Sequence, residues 1–79
     1  MYEIHYNLDL ADGRSVKHIE TMYEQRDLSI KALTSRLIKK LMDSDYFYYT
    51  REDGISMGVN MQHVVIASIT IKDKEKEAL

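Results

Sequence analysis

Two Asp-Gly dipeptides, Asp12-Gly13 and Asp53-Gly54, constrain this chain more than any other feature. Each stands between runs that suit strands, and Asp-Gly is a strong hairpin signal because tight turns need backbone angles that glycine adopts without penalty. Before the first, Tyr2, Ile4, Tyr6, Leu8 and Leu10 are apolar, while Glu3, His5, Asn7 and Asp9 are polar. A period of two marks a strand with one buried face. A two-residue turn at Asp12-Gly13 predicts Leu8 opposite Lys17, Tyr6 opposite Ile19 and Ile4 opposite Thr21, with a more exposed second strand over roughly residues 15–22.

Around the second dipeptide, Tyr46-Phe47-Tyr48-Tyr49-Thr50 precedes and Ile55-Ser56-Met57-Gly58-Val59 follows. A turn centred on Asp53-Gly54 predicts Thr50 opposite Met57, Tyr48 opposite Val59 and Tyr46 opposite Met61, all on an apolar face. Phe47, Tyr49 and Arg51 are then expected on the other, open face. Asn60-Met61-Gln62-His63 reads as a short turn. Val64–Lys72 reads as a last strand with Val65, Ala67, Ile69 and Ile71 inward.

Between the hairpins the period changes. Ile30, Leu33, Leu37 and Leu41 recur at spacings of three and four, and Ile38 and Met42 widen the stripe into one that suits a core-facing helix of about 15 residues. Asp27 or Ser29 can accept hydrogen bonds from the free amides of its first turn. Lys39 and Lys40 suit the negative pole of its dipole. These elements predict a two-layer α+β domain over residues 1–72, in the order ββαβββ, with one helix laid on an antiparallel sheet of four to five strands. Residues 73–79 alternate in charge without an apolar face and are expected to fray.

Composition narrows the function classes. With 79 residues the chain forms one domain and buries only about 60% of its unfolded surface. The absence of Cys removes disulfides, thiolate metal sites and thiol catalysis together. The longest apolar run, Val64-Val65-Ile66-Ala67, is far too short for a membrane span, and Met1–His5 lacks the features of a secretory leader. A soluble, cytoplasmic protein without membrane association is the expectation. No phosphate-cradling glycine loop or nucleophile elbow is present, so neither an enzyme nor a cofactor is expected.

Three clusters carry functional signals. In the expected register His5 faces Glu20 and His18 faces Asn7, a grouping with zinc-ligand chemistry but no ligand-spacing motif. Solvated strand histidines are the simpler reading, and no metal is expected. Phe47 and Tyr49 beside Arg51 resemble an interface hot spot, and protein binding through the open sheet face, most simply as a homo-oligomer, is the leading expectation. The helix segment carries Lys31, Arg36, Lys39 and Lys40 against Asp43, a net +3 on a chain of net −2. Those four cations offer nucleic-acid binding as the alternative.

The strand ending in Asp-Gly, the single amphipathic helix, the aromatic strand and the closing Asn60-Met61-Gln62-His63-Val64-Val65-Ile66-Ala67-Ser68-Ile69-Thr70-Ile71 together resemble small proteins carried by phages and mobile elements of Gram-positive bacteria. The resemblance covers most of the chain as a pattern and transfers no functional residue. It implies a protein that acts by binding a host or phage protein, in some cases as an inhibitor.

Overall fold

The computed structural model describes residues 1–23 and 29–74. The α+β reading holds. Strands β1 (Tyr2–Leu10) and β2 (Ser15–Met22) are followed by helix α1 (Ile30–Met42), then β3 (Tyr46–Thr50), β4 (Ser56–Asn60), a single 3₁₀ turn (Met61–His63) and β5 (Val64–Asp73). The strands divide into a three-stranded antiparallel sheet of order β2-β1-β5 and a separate two-stranded sheet, β3-β4. One face of the larger sheet takes both the helix and the small hairpin. Ile4, Tyr6, Leu8, Leu33, Leu41, Val59 and Ile71 form the buried core, and Ile4, Leu8 and Leu33 are its fully enclosed members. Burying each such side chain contributes about 1.5–3 kcal/mol.

Both hairpins differ from expectation by one residue, for one reason. Leu10 N–H donates to the Arg14 carbonyl at 2.8 Å and Gly13 N–H to the Leu10 carbonyl at 3.0 Å. Arg51 N–H donates to the Ile55 carbonyl at 2.8 Å and Gly54 N–H to the Arg51 carbonyl at 2.9 Å. Each loop therefore holds three residues, Ala11-Asp12-Gly13 or Glu52-Asp53-Gly54, a type I turn completed by a left-handed residue. Among the described residues only Gly13 (φ 91°) and Gly54 (φ 86°) have positive φ. The expected two-residue turn also needs Asp at positive φ, which costs about 1–2 kcal/mol. Instead each aspartate braces its loop. Asp12 Oδ1 accepts the Arg14 N–H at 3.0 Å, and Asp53 Oδ1 accepts the Ile55 N–H at 3.2 Å.

The one-residue change exchanges strand faces. Leu8 lies opposite Val16, Tyr6 opposite His18 and Ile4 opposite Glu20. In the second hairpin Phe47 lies opposite Val59, Tyr49 opposite Met57 and Tyr48 opposite Gly58. β5 carries a second departure: its register with β1 shifts between Asp9–Ile66 and Leu10–Val64. That bulge turns Val64 toward the core and leaves Val65 exposed, while Ala67, Ile69 and Ile71 face inward as expected. The strand also runs through Asp73, and Lys74 N–H donates to the Met1 carbonyl at 3.1 Å. Residues 75–79 lie outside the described residues.

Helix α1 spans 13 residues and is capped by Ser29, whose hydroxyl accepts the Ala32 N–H at 3.1 Å. The alternative cap, Asp27, lies outside the described residues. Leu33, Leu37, Ile38 and Leu41 pack into the core, but Met42 is exposed and does not widen the buried stripe.

Candidate interaction surface

The face exchange relocates the aromatic signal. Phe47 and Tyr49 were expected to lie open beside Arg51; they point into the protein and pack against the core. The Phe47 ring lies 4.9 Å from Tyr6, and the Tyr49 ring 4.8 Å from His18. Arg51 stands past the end of β3, where its Nη2 donates to Asp53 Oδ2 at 2.7 Å. The three residues therefore do not form one exposed cluster. Tyr46 and Tyr48 are exposed instead, at 50% and 73%, with ring centroids 5.9 Å apart; Tyr23, just past β2, is also exposed. Tyr48 lies over Gly58, where an added Cβ would stand 3.2 Å from Tyr48 Cε1. The glycine lets the ring lie across its partner strand.

A groove of about 430 Å³ adjoins this pair, lined by Glu20, Thr21, Met22, Lys40, Tyr46 and Tyr48 among others. Further along, Ile19, Glu20 and Thr21 of β2 face Tyr48, Tyr49 and Thr50 across a shallower depression. Exposed Ile19 adds apolar surface to its rim. Tyr48 thus borders both depressions, with Tyr46 and Lys40 at the first and Ile19 at the second.

The histidines separate. His5 stands on the open face of the larger sheet, and Glu3 accepts from its Nε2 at 2.6 Å. That bond, with Lys74 Nζ 3.6 Å from the same carboxylate, holds Glu3 below the usual carboxylate range. His18 lies opposite Tyr6 on the inner face, between Tyr6, Phe47 and Tyr49, with Glu20 Oε2 3.5 Å from its Nε2. The expected pairings of His5 with Glu20 and His18 with Asn7 do not form. Among the described residues no group of three His, Asp or Glu side chains is placed to hold a metal ion. Burial, aided by a hydrogen bond to Glu20, pushes the Tyr6 hydroxyl well above the usual tyrosine range.

A second cleft, of about 540 Å³, lies between the two hairpins and is lined by Leu10, Val16, Tyr49, Val59 and His63 among others. Its charged members, Asp12 and Arg14, pair with each other at 2.7 Å. Lys31, Arg36, Lys39 and Lys40 are all exposed on α1. At about 100° per residue they fan over about 180° of the helix, so they do not converge on one line of phosphates. Only Lys40 borders the tyrosine groove.

Sequence reasoning missed Tyr46, Tyr48 and Ile19. The signal that locates them is the loop count: three residues between Thr50-Arg51 and Ile55, not two, move every β3 side chain to the other face. No family model, curated protein or solved structure matches this chain. Among the described residues no helix is long and apolar enough to cross a membrane.

Proposed function

We propose that this chain is a small non-enzymatic binding protein that engages a protein partner through the outer face of the β3–β4 hairpin. The supporting observation is the pair Tyr46 and Tyr48, half or more exposed and side by side, on a strand whose alternate residues complete the core. Tyrosine supplies large contact area with a polar tip and is enriched among interface hot spots. The inward neighbours Phe47 and Tyr49 fix the strand, so the exposed rings are held in place before a partner arrives. The open face of the larger sheet is a poorer candidate, since β1 presents Glu3, His5, Asn7 and Asp9 there.

The test is a Tyr46→Ser/Tyr48→Ser variant. Its stability should stay within about 0.5 kcal/mol per substitution, as for other surface changes. In affinity capture from the native host, proteins retained by the wild type should be lost. Retention of the same proteins by the folded variant overturns the reading. A second reading rests on Lys40 beside the two rings, a combination suited to stacking and neutralising a single nucleic-acid strand. It requires oligonucleotide binding that weakens steeply with salt and is lost in both Lys40→Gln and the tyrosine variant. No binding at low salt removes it.

A further inference from the structure

Among the described residues no strand pairs with the free edge of β5, the other outer strand of the larger sheet. Hydrogen-bond parity identifies its unpaired groups. The Leu10–Arg14 closure makes the even residues of β1 bond to β2, so its odd residues bond to β5. The Ala11-to-His63 and Lys74-to-Met1 bonds fall in the same odd series. The outward N–H and C=O groups of β5 are therefore those of Ala67, Ile69 and Ile71, and no described strand lies beyond them. Natural sheets blunt such edges with charge, proline or bulges. Here Val64–Ile71 contains no charge, no proline and no glycine, and its one bulge lies at the extreme N-terminal end.

We propose that β5 is the pairing edge of a symmetric homodimer, two copies aligning antiparallel about a two-fold axis at Ser68. Parity puts the axis on a residue rather than between two, and Ser68 is one of the two residues nearest the middle of the uncharged run Val64–Ile71. Centred on Ser68, Ala67 meets the partner's Ile69 and Ile71 meets the partner's Val65, which matches the outward groups on both sides. Lys72 and Asp73 then fall at the ends, opposite the partner's Val64 and His63. A centre at Thr70 drives both charges into the apolar run, against Ser68 and Ala67. β5 also carries exposed apolar side chains. Val65 is 64% and Ile66 61% exposed, and Met42 is 62% exposed. Lys40 borders the groove toward β2, and Met42 stands about 200° around the helix from it, on the flank away from that groove. The dimer joins two three-stranded sheets into one and leaves the Tyr46–Tyr48 face free.

Sedimentation equilibrium tests the pairing. The wild type should rise with concentration from 9.3 kDa toward twice that mass. Ser68 is exposed and meets its own copy at the axis, so Ser68→Lys and Ser68→Glu should each remain folded monomers by circular dichroism. An equimolar mixture of the two should recover the dimer. Ala67→Pro, which removes an outward N–H but no bond to β1, should also be monomeric. Tyr46→Ser/Tyr48→Ser should dimerise normally, which separates this interface from the one proposed for a partner. A monomeric wild type, undiminished dimerisation of the single charge variants, a monomeric mixture, or loss of the dimer in the tyrosine variant would each overturn the proposal.

Discussion

Hairpins β1–β2 and β3–β4 turn on the same loop, closed by the same hydrogen bonds and the same positive-φ glycine, yet they occupy opposite roles. β1 is the central strand of a three-stranded sheet and contributes Ile4, Tyr6 and Leu8 to the core. β3 belongs to a two-stranded flap that sends Phe47 and Tyr49 inward and leaves Tyr46 and Tyr48 outside. Loop chemistry therefore sets the register of a hairpin but not what its faces meet. Whether an alternate face becomes core or surface depends on what packs against it. For β1 a second strand flanks each side and the helix lies above, whereas β3 has only β4 and the edge of the groove.

The contrast can be broken with core truncations. Leu8→Ala should cost about 2–5 kcal/mol, since Leu8 is fully enclosed. Phe47→Ala should cost less than the roughly 3–5 kcal/mol typical of a fully buried phenylalanine, because its ring is only partly buried. Denaturant midpoints check both. If Phe47→Ala equals or exceeds Leu8→Ala, the flap is as integral to the core as the central sheet.

The shared loop gives a matched pair of smaller effects. Gly13→Ala and Gly54→Ala should each lose about 1–2 kcal/mol from the left-handed backbone, because an added Cβ at either site meets nothing within 4 Å. Amide exchange should distinguish them: Gly54→Ala loosens β3–β4 selectively, while Gly13→Ala lowers protection throughout the larger sheet. Equal loosening everywhere in both variants would mean that the two hairpins unfold as one unit.

The smallest effect at neutral pH becomes visible in base. The folded state keeps the Tyr6 hydroxyl protonated beyond the ordinary tyrosine pKa of about 10, whereas the unfolded chain releases that proton. The stabilisation tied to this proton is thus complete below about pH 10 and declines as pH rises above it. Urea titrations between pH 8 and 11, chosen to bracket that value of about 10, should show a steeper alkaline loss in the wild type than in Tyr6→Phe. Parallel profiles would place the proton's release in the folded state itself.

Much of the fold was legible in the residues. The alternation of Tyr2 to Leu10, the Ile30-Leu33-Leu37-Leu41 stripe and the two Asp-Gly signals gave the element order and the α+β class, because period and turn chemistry are local properties. The faces of β2 and β3 were not legible to the same degree. Lys17-His18-Ile19 and Tyr46-Phe47-Tyr48-Tyr49 contain apolar or aromatic residues at both parities, so composition favoured neither face and one loop residue decided it. The candidate site inherited that ambiguity: Phe47 and Tyr49 were singled out, and Tyr46 and Tyr48 are the pair left outside.

Sequence alone determined where the chain turns, that the second strand is more exposed than the first and where the helix lies, since each follows from the local pattern of residues. Tertiary structure decided the division into two sheets, the placement of His18 among aromatic rings and the exposure of Val65 at the bulge. Those outcomes depend on how distant elements share one thin core. A side chain's face is set by the hydrogen-bonded ladder and its burial by whatever packs above it, and neither is written in its immediate neighbours.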